Sequence, residues 1–257
     1  MPMPPETMTE STTYPVLITG AGQRAGLYLA EQLLACQQPV VISYRSPKPG
    51  VDRLQKLGAQ CIQADFATNA GVLAFARRIK EDYSGLRALV HNASDWSRDP
   101  LPEEDPEGLL AAETFQKMFQ IHQQAPFLLN NQLAPLLLKA AKELGQATDI
   151  VHLTDDVVRR GSAKHSAYVA SKAGLESLSL SFAARWAPDI KVNTIAPALL
   201  AFNEGDDAAY RHKTLSKSPL YMEPGFGVLW QTLDYLLHQP YMTGNLLRLN
   251  GGRHLKN

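Results

Sequence analysis

The sequence carries no net charge, almost no cysteine and no long apolar run. Lys+Arg and Asp+Glu each number 25 in 257 residues. No basic excess is available to follow a phosphate backbone, so nucleic acid is not an expected partner. No stretch approaches the roughly 18 consecutive apolar residues of a membrane span, so a bilayer is not an expected partner either. There are two cysteines, Cys36 and Cys61. They lie in apolar segments without metal-ligand spacing and are expected as buried core thiols, with no metal site. This usage excludes a disulfide scaffold and is compatible with a reducing cytoplasm. Residues 1–14 (MPMPPETMTESTTY) lack the apolar run of a signal peptide and the arginines of a transit peptide. They are expected as a disordered tail ahead of one domain over residues 15–257. No repeat or linker divides that domain.

What is present is an alternation. Short apolar, β-branched runs at 16–20, 40–44, 61–66, 88–93, 149–155, 191–197 and 245–251 are separated by longer segments with helical spacing, such as Phe75, Ala76 and Ile79. Near-continuous apolar strands suit a sheet covered on both faces. The expected fold is therefore a single α/β domain, a Rossmann-type doubly wound parallel sheet of about seven strands with helices on both sides. Ligands of such sheets bind beyond the carboxyl ends of the strands.

The chemically suggestive residues fall at those ends. The first strand runs into Thr19-Gly20-Ala21-Gly22-Gln23-Arg24-Ala25-Gly26 and then a helical segment. Glycines there let backbone approach a pyrophosphate at a helix N-terminus. Alone this is a weak signal, since any tight turn wants glycine; Arg24 within it is harder to explain by turn geometry. The second strand ends Tyr44-Arg45-Ser46, with no acid to hold ribose hydroxyls. A guanidinium and a hydroxyl suit a phosphate instead. Tyr168 and Lys172 are four residues apart, on one face of a helix. A nearby ammonium favours the phenolate and is expected to draw the Tyr168 pKa down toward working pH. Asp155 stands thirteen residues earlier, and capping of the following helix fits Asp156 better than Asp155.

Together these motifs resemble the short-chain dehydrogenase/reductase family over nearly the whole chain after the tail. Tyr168-Val169-Ala170-Ser171-Lys172 matches its Y-x-x-x-K signature, and the glycine turn matches T-G-x-x-x-G-x-G except at Arg24. Asn92-Ala93-Ser94 resembles N-N-A-G, with His91 and Ser94 as departures; Asn193 to Ala198 resembles N-x-x-x-P-G. Arg24, Asp155 in place of the family's serine, and Trp96 resemble the pteridine-reducing branch. Lys164-His165 and residues 202–207 fit one pterin-reducing type within it.

The resemblance implies NADPH as cofactor, held by Gly20, Gln23, Arg24, Gly26, Tyr44, Arg45, Ser46, Asp65, Phe66, Asn92, Ala93, Ser94, Thr154, Tyr168, Lys172, Pro197, Ala198 and Leu199. It implies a dihydropterin substrate framed by Arg24, Ser94, Trp96, Asp155 and Tyr168, with Tyr168, Asp155 and Lys172 catalytic. A hydride would go to C6 and a proton to N5, with dihydrofolate a secondary substrate. His122 stands where the family has an asparagine that supports a relay water; relay and simple packing are equally open for it. Family members commonly assemble through two long helices, here about 113–139 and 165–186, so a homotetramer is expected. Two other classes stay open, a general carbonyl or sugar reductase and a nucleotide sensor without turnover.

Overall fold

A computed structural model describes residues 14–256. Residues 1–13 of the expected tail lie outside the described residues. Tyr14, also expected in that tail, is buried: its ring packs over Gly85 and its hydroxyl bonds the Glu143 carboxylate. A ring of that size lowers its free energy by leaving water, and Gly85 leaves space for it.

Seven parallel strands of the described residues form one sheet: β1 (Val16–Ile18), β2 (Val40–Tyr44), β3 (Gln60–Gln63), β4 (Ala88–His91), β5 (Thr148–Leu153), β6 (Ile190–Pro197) and β7 (Leu246–Leu249). Their order is β3-β2-β1-β4-β5-β6-β7. The chain therefore reverses direction across the sheet between β1 and β4, the switch point where such folds bind ligands. β2 and β6 end where expected, and the other five strands stop short of their expected carboxyl ends. There the chain leaves the ladder to build the site: Gly20 takes a left-handed φ of 68°, which glycine adopts without strain. A Cβ at that position would come within 2.6 Å of the Ala93 backbone.

Helices α1 (Arg24–Ala35), α2 (Pro49–Lys56) and α3 (Asn69–Asp82) follow the first three strands. The helix expected over 113–139 is longer and interrupted. It runs as α4 (Leu109–Phe119), a π turn (Gln120–Gln124) and α5 (Ala125–Leu144). After β5 come a 3-10 turn (Asp156–Arg159) and α6 (Ser166–Trp186); α7 (Ala208–Leu215) and α8 (Gly227–His238) follow β6. One core lies between the sheet and α1 and α8, built on Leu29, Leu33, Leu229 and Leu233. The other lies between the sheet and α3, α5 and α6, built on Phe75, Ile79, Leu133 and Phe182.

A buried ion cluster fastens α8 to the sheet. Asp149 accepts from Arg87 at 2.6 Å and forms an ion pair with Lys191 at 2.9 Å. Those two cations also donate to the Leu237 and Leu236 carbonyls at the carboxyl end of α8, where the helix leaves acceptors unpaired. Cysteine burial departs from expectation. Cys36 caps α1 and is exposed, because the helix ends one residue before it, while Cys61 is half-buried and burial pushes its thiol up to about 11. None of the described helices is long and apolar enough to cross a membrane.

Candidate active site

At the switch point lies a cleft of about 870 Å³. Eleven of the expected residues line it: Gly20, Gln23 and Arg24 from the first turn; Tyr44, Arg45 and Ser46 from the end of β2; Asp65 and Phe66 after β3; Asn92, Ala93 and Ser94 after β4. Gly26 does not reach the wall. It lies beneath the turn, against the Asn92 amide, Ala21 and the Gly20 carbonyl. Asn92 ties the turn to β4 by donating to the carbonyls of Thr19 (3.0 Å) and Gly20 (2.8 Å). Pro197, Ala198 and Leu199 also stay out of the wall, at the end of β6, where the Ala198 N–H bonds Leu249.

Sequence reasoning missed several cleft residues. Ser43 accepts the Gly20 N–H at 3.0 Å. Asp95 lies 3.5 Å from Arg45 and 3.0 Å from Lys117, and so joins the end of β2 to α4. Lys48 and Lys117 add positive charge to the wall. No local pattern marks Asp95 or Lys117, because their meeting spans three elements.

Arg24 has a left-handed φ of 51° at the head of α1, a conformation that costs a side-chain-bearing residue energy. Its guanidinium donates to Asn203 Oδ1 at 2.6 Å and the Ala201 carbonyl at 2.9 Å. Besides lining the cleft, it ties the loop after β6 to the glycine turn.

The catalytic candidates converge beside this cleft. Tyr168 and Lys172 are 5% and 3% exposed on α6. The Tyr168 hydroxyl donates to Asp155 Oδ2 at 3.0 Å, and Lys172 Nζ donates to the Leu153 carbonyl at 3.0 Å. Asp155 does two jobs. Its Oδ1 accepts the Val157 N–H at 2.8 Å, capping the 3-10 turn. The cap is thus Asp155, not Asp156 as expected; Asp156 is buried and accepts from Asn250 at 2.8 Å. Capping holds one carboxylate oxygen still and aims the other at the phenol.

Burial pushes the Asp155 carboxyl up, with its hydrogen bonds and Lys172 opposing. Burial also pulls Lys172 down to about 8. The expected lowering of Tyr168 is reversed: burial first, then the Asp155 charge, push the phenol up. Lys172 sits 5.7 Å from the ring centroid, and the hydrogen bond with Ser94 opposes the rise without reversing it. A proton on Asp155 removes the opposing charge, so the dyad shares one proton more readily than it loses it.

Trp96 is 55% exposed, its ring centroid 4.4 Å from that of Tyr168 and 4.2 Å from that of His165. It forms an aromatic wall next to the reactive hydroxyl. Thr154 is buried and donates to Glu176 at 3.1 Å. His122, left open by its sequence position, lies 1% exposed in the π turn between Ser94 and Ser171.

A parallel sheet with a glycine turn at its switch point and a Tyr–Lys pair on the helix after β5 defines a class, and the short chain dehydrogenase family pattern matches residues 15–207. The chain belongs to that family. Within it, the chain is 47% identical to a dihydromonapterin reductase of Klebsiella pneumoniae over 249 residues, 97% of this chain and 100% of the relative. It is 48% identical to a dihydromonapterin reductase of an Enterobacter species over 241 residues, 94% and 97% of the two chains. Among solved structures it resembles the FolM alternative dihydrofolate reductase 1 of Brucella canis complexed with NADP, with a TM-score of 0.80, 26% identity and 95% of each chain covered. It also resembles the Pseudomonas aeruginosa RhlG/NADP active-site complex, with a TM-score of 0.83, 25% identity, and 95% and 97% covered.

Proposed function

We propose that this chain reduces 7,8-dihydromonapterin to its tetrahydro form with NADPH, with dihydrofolate a weaker substrate. The cleft fits the cofactor on its own features. Side-chain-free Gly20 gives backbone access at the turn, Arg45 and Ser46 stand where an acid would select NADH, and Lys48 adds charge for a 2′-phosphate. NADPH, when bound, supplies the hydride for C6. The protein's own part is the proton. Asp155, whose carboxyl burial pushes up, accepts the hydrogen bond of the Tyr168 hydroxyl, and Tyr168 is placed to deliver a proton to N5. Lys172 keeps a positive charge beneath them at neutral pH and eases recharging of the phenol. Trp96 offers a flat bicyclic ring a face to lie on.

The observation that carries this reading is the 3.0 Å contact of Tyr168 with Asp155, at a position where carbonyl-reducing relatives have serine. A carbonyl needs only a donor at its oxygen; a ring nitrogen and its amide edge need an acid and an acceptor. The test is Asp155→Ser with dihydromonapterin and NADPH. The expected loss in kcat is about 10²–10⁴-fold with NADPH binding retained. Undiminished dihydropterin turnover would favour a carbonyl or sugar reductase instead. Exposed Phe115, Phe119, Phe127 and Leu180 on α4, α5 and α6 support a homotetramer built through these helices. A cytoplasmic location accords with the two free cysteines.

A further inference from the structure

Two departures from the family pattern meet in space. Ser94 stands where the pattern has glycine and His122 where it has asparagine, and Ser94 Oγ lies 2.8 Å from His122 Nε2. One residue follows β4 and the other sits in the π turn that interrupts the α4–α5 helix.

The neighbours of the imidazole fix its tautomer. The backbone N–H of Asp95 can only donate, and it points at Nε2 from 3.3 Å. Nε2 is therefore the acceptor nitrogen, and Nδ1 carries the hydrogen. Nδ1 lies 2.8 Å from Ser171 Oγ, which gives its own proton to the Tyr168 carbonyl at 2.7 Å and so has an oxygen lone pair to receive Nδ1–H. Burial, reinforced by the Lys172 charge, holds the ring's pKa down to about 2. Bare Nε2 at 2.8 Å is a nearer acceptor for the Ser94 proton than the Asp95 carbonyl at 3.4 Å, so the hydroxyl turns to the ring and shares Nε2 with the longer Asp95 N–H contact. The Ser94 oxygen keeps its lone pairs, and Ser94 lines the cleft.

We propose that His122 is a positioning residue that sets substrate class: by taking the Ser94 proton it makes the Ser94 oxygen an acceptor toward the substrate. A ring edge bearing N–H groups satisfies that oxygen. A bare carbonyl faces it lone pair to lone pair and is rejected, as a site built for one hydrogen-bonding partner rejects the analogue lacking it. The substrate side of this inference rests on the dihydropterin reading; the tautomer and the Ser94 orientation do not.

Long-range proton–nitrogen NMR of the full chain tests the tautomer directly. The expected result is a protonated Nδ1, a bare Nε2 and no titration of His122 between about pH 8 and pH 5.5. An Nε2–H tautomer, or a midpoint inside that window, overturns the proposal. Kinetics test the consequence. His122→Phe should lower kcat/KM for a dihydropterin about tenfold, one hydrogen bond's worth, with the NADPH dissociation constant within about twofold of the parent. His122→Gln, whose amide oxygen can replace Nε2, should recover most of that loss. In a Ser94→Ala background the His122→Phe change should cost less than about twofold, because its target is gone. Equal tenfold losses in both backgrounds would mean His122 acts by packing alone and would overturn the proposal. If the parent fails to reduce any dihydropterin, the proposed function falls, and the NMR measurement still decides the orientation of Ser94.

Discussion

Acid should unfold this protein well before its carboxylates give way, because three histidines are buried without charge. His91 and His152 stack at 4.9 Å between β4 and β5, bridged by Asn130, and His122 lies in the π turn. Burial pulls His91 down to about 4 and His122 to about 2, and holds His152 well below its ordinary value. The unfolded chain takes up protons on these rings near pH 6.5 while the fold does not. Stability from this source is thus level above pH 6.5 and falls as pH drops below it, by about 1.4 kcal/mol per pH unit per ring. Between pH 7 and pH 5 the loss is about 2 kcal/mol for each ring and about 6 kcal/mol for three, a large share of a typical 5–15 kcal/mol. Asp155 and Glu176, whose carboxyls burial pushes up, gain protons in the fold before they do in the unfolded chain and oppose part of the loss. Urea unfolding at pH 7, 6 and 5 measures the slope. His122→Gln should flatten it by about one third, since one proton-binding site of the unfolded chain is gone. Equal stability at pH 7 and pH 5 would refute the reasoning.

Three other outcomes are expected. Arg45→Ala removes an exposed guanidinium whose present partner, Asp95 at 3.5 Å, adds little, so stability should hardly change. NADPH binding should weaken by a charged hydrogen bond of about 1.5–3 kcal/mol while NADH binding is spared; equal losses would show that Arg45 does not read the 2′-phosphate. Trp96→Ala should raise KM for a dihydropterin several-fold, the worth of about 0.5–1.5 kcal/mol of stacking, with NADPH binding unchanged in a fluorescence titration. Light scattering at working concentration should give a tetramer, and a monomer would contradict the role assigned to the exposed Phe115, Phe119 and Leu180.

The amino-acid order by itself determined the alternation of seven apolar strands with helices, the glycine turn after β1 and the Tyr168–Lys172 pair. Each is a local signal, written in the period of an element or the spacing along one helix. It likewise placed Asp155 and Trp96 at strand ends, since a parallel sheet collects those ends on one edge. What only the tertiary structure decided concerns groups far apart in sequence. Asp155, not Asp156, caps the turn, and it turns its second oxygen to Tyr168. Burial and the Asp155 carboxylate raise the Tyr168 phenol, against the lowering that the lysine's proximity alone suggested. Asp95 meets Arg45 and Lys117, and His122 meets Ser94 and Ser171, through contacts that no spacing encodes. Hydrogen bonds and desolvation act over a few ångströms of space, whatever the separation along the chain, so the tautomer, charge state and direction of each polar group wait on the fold.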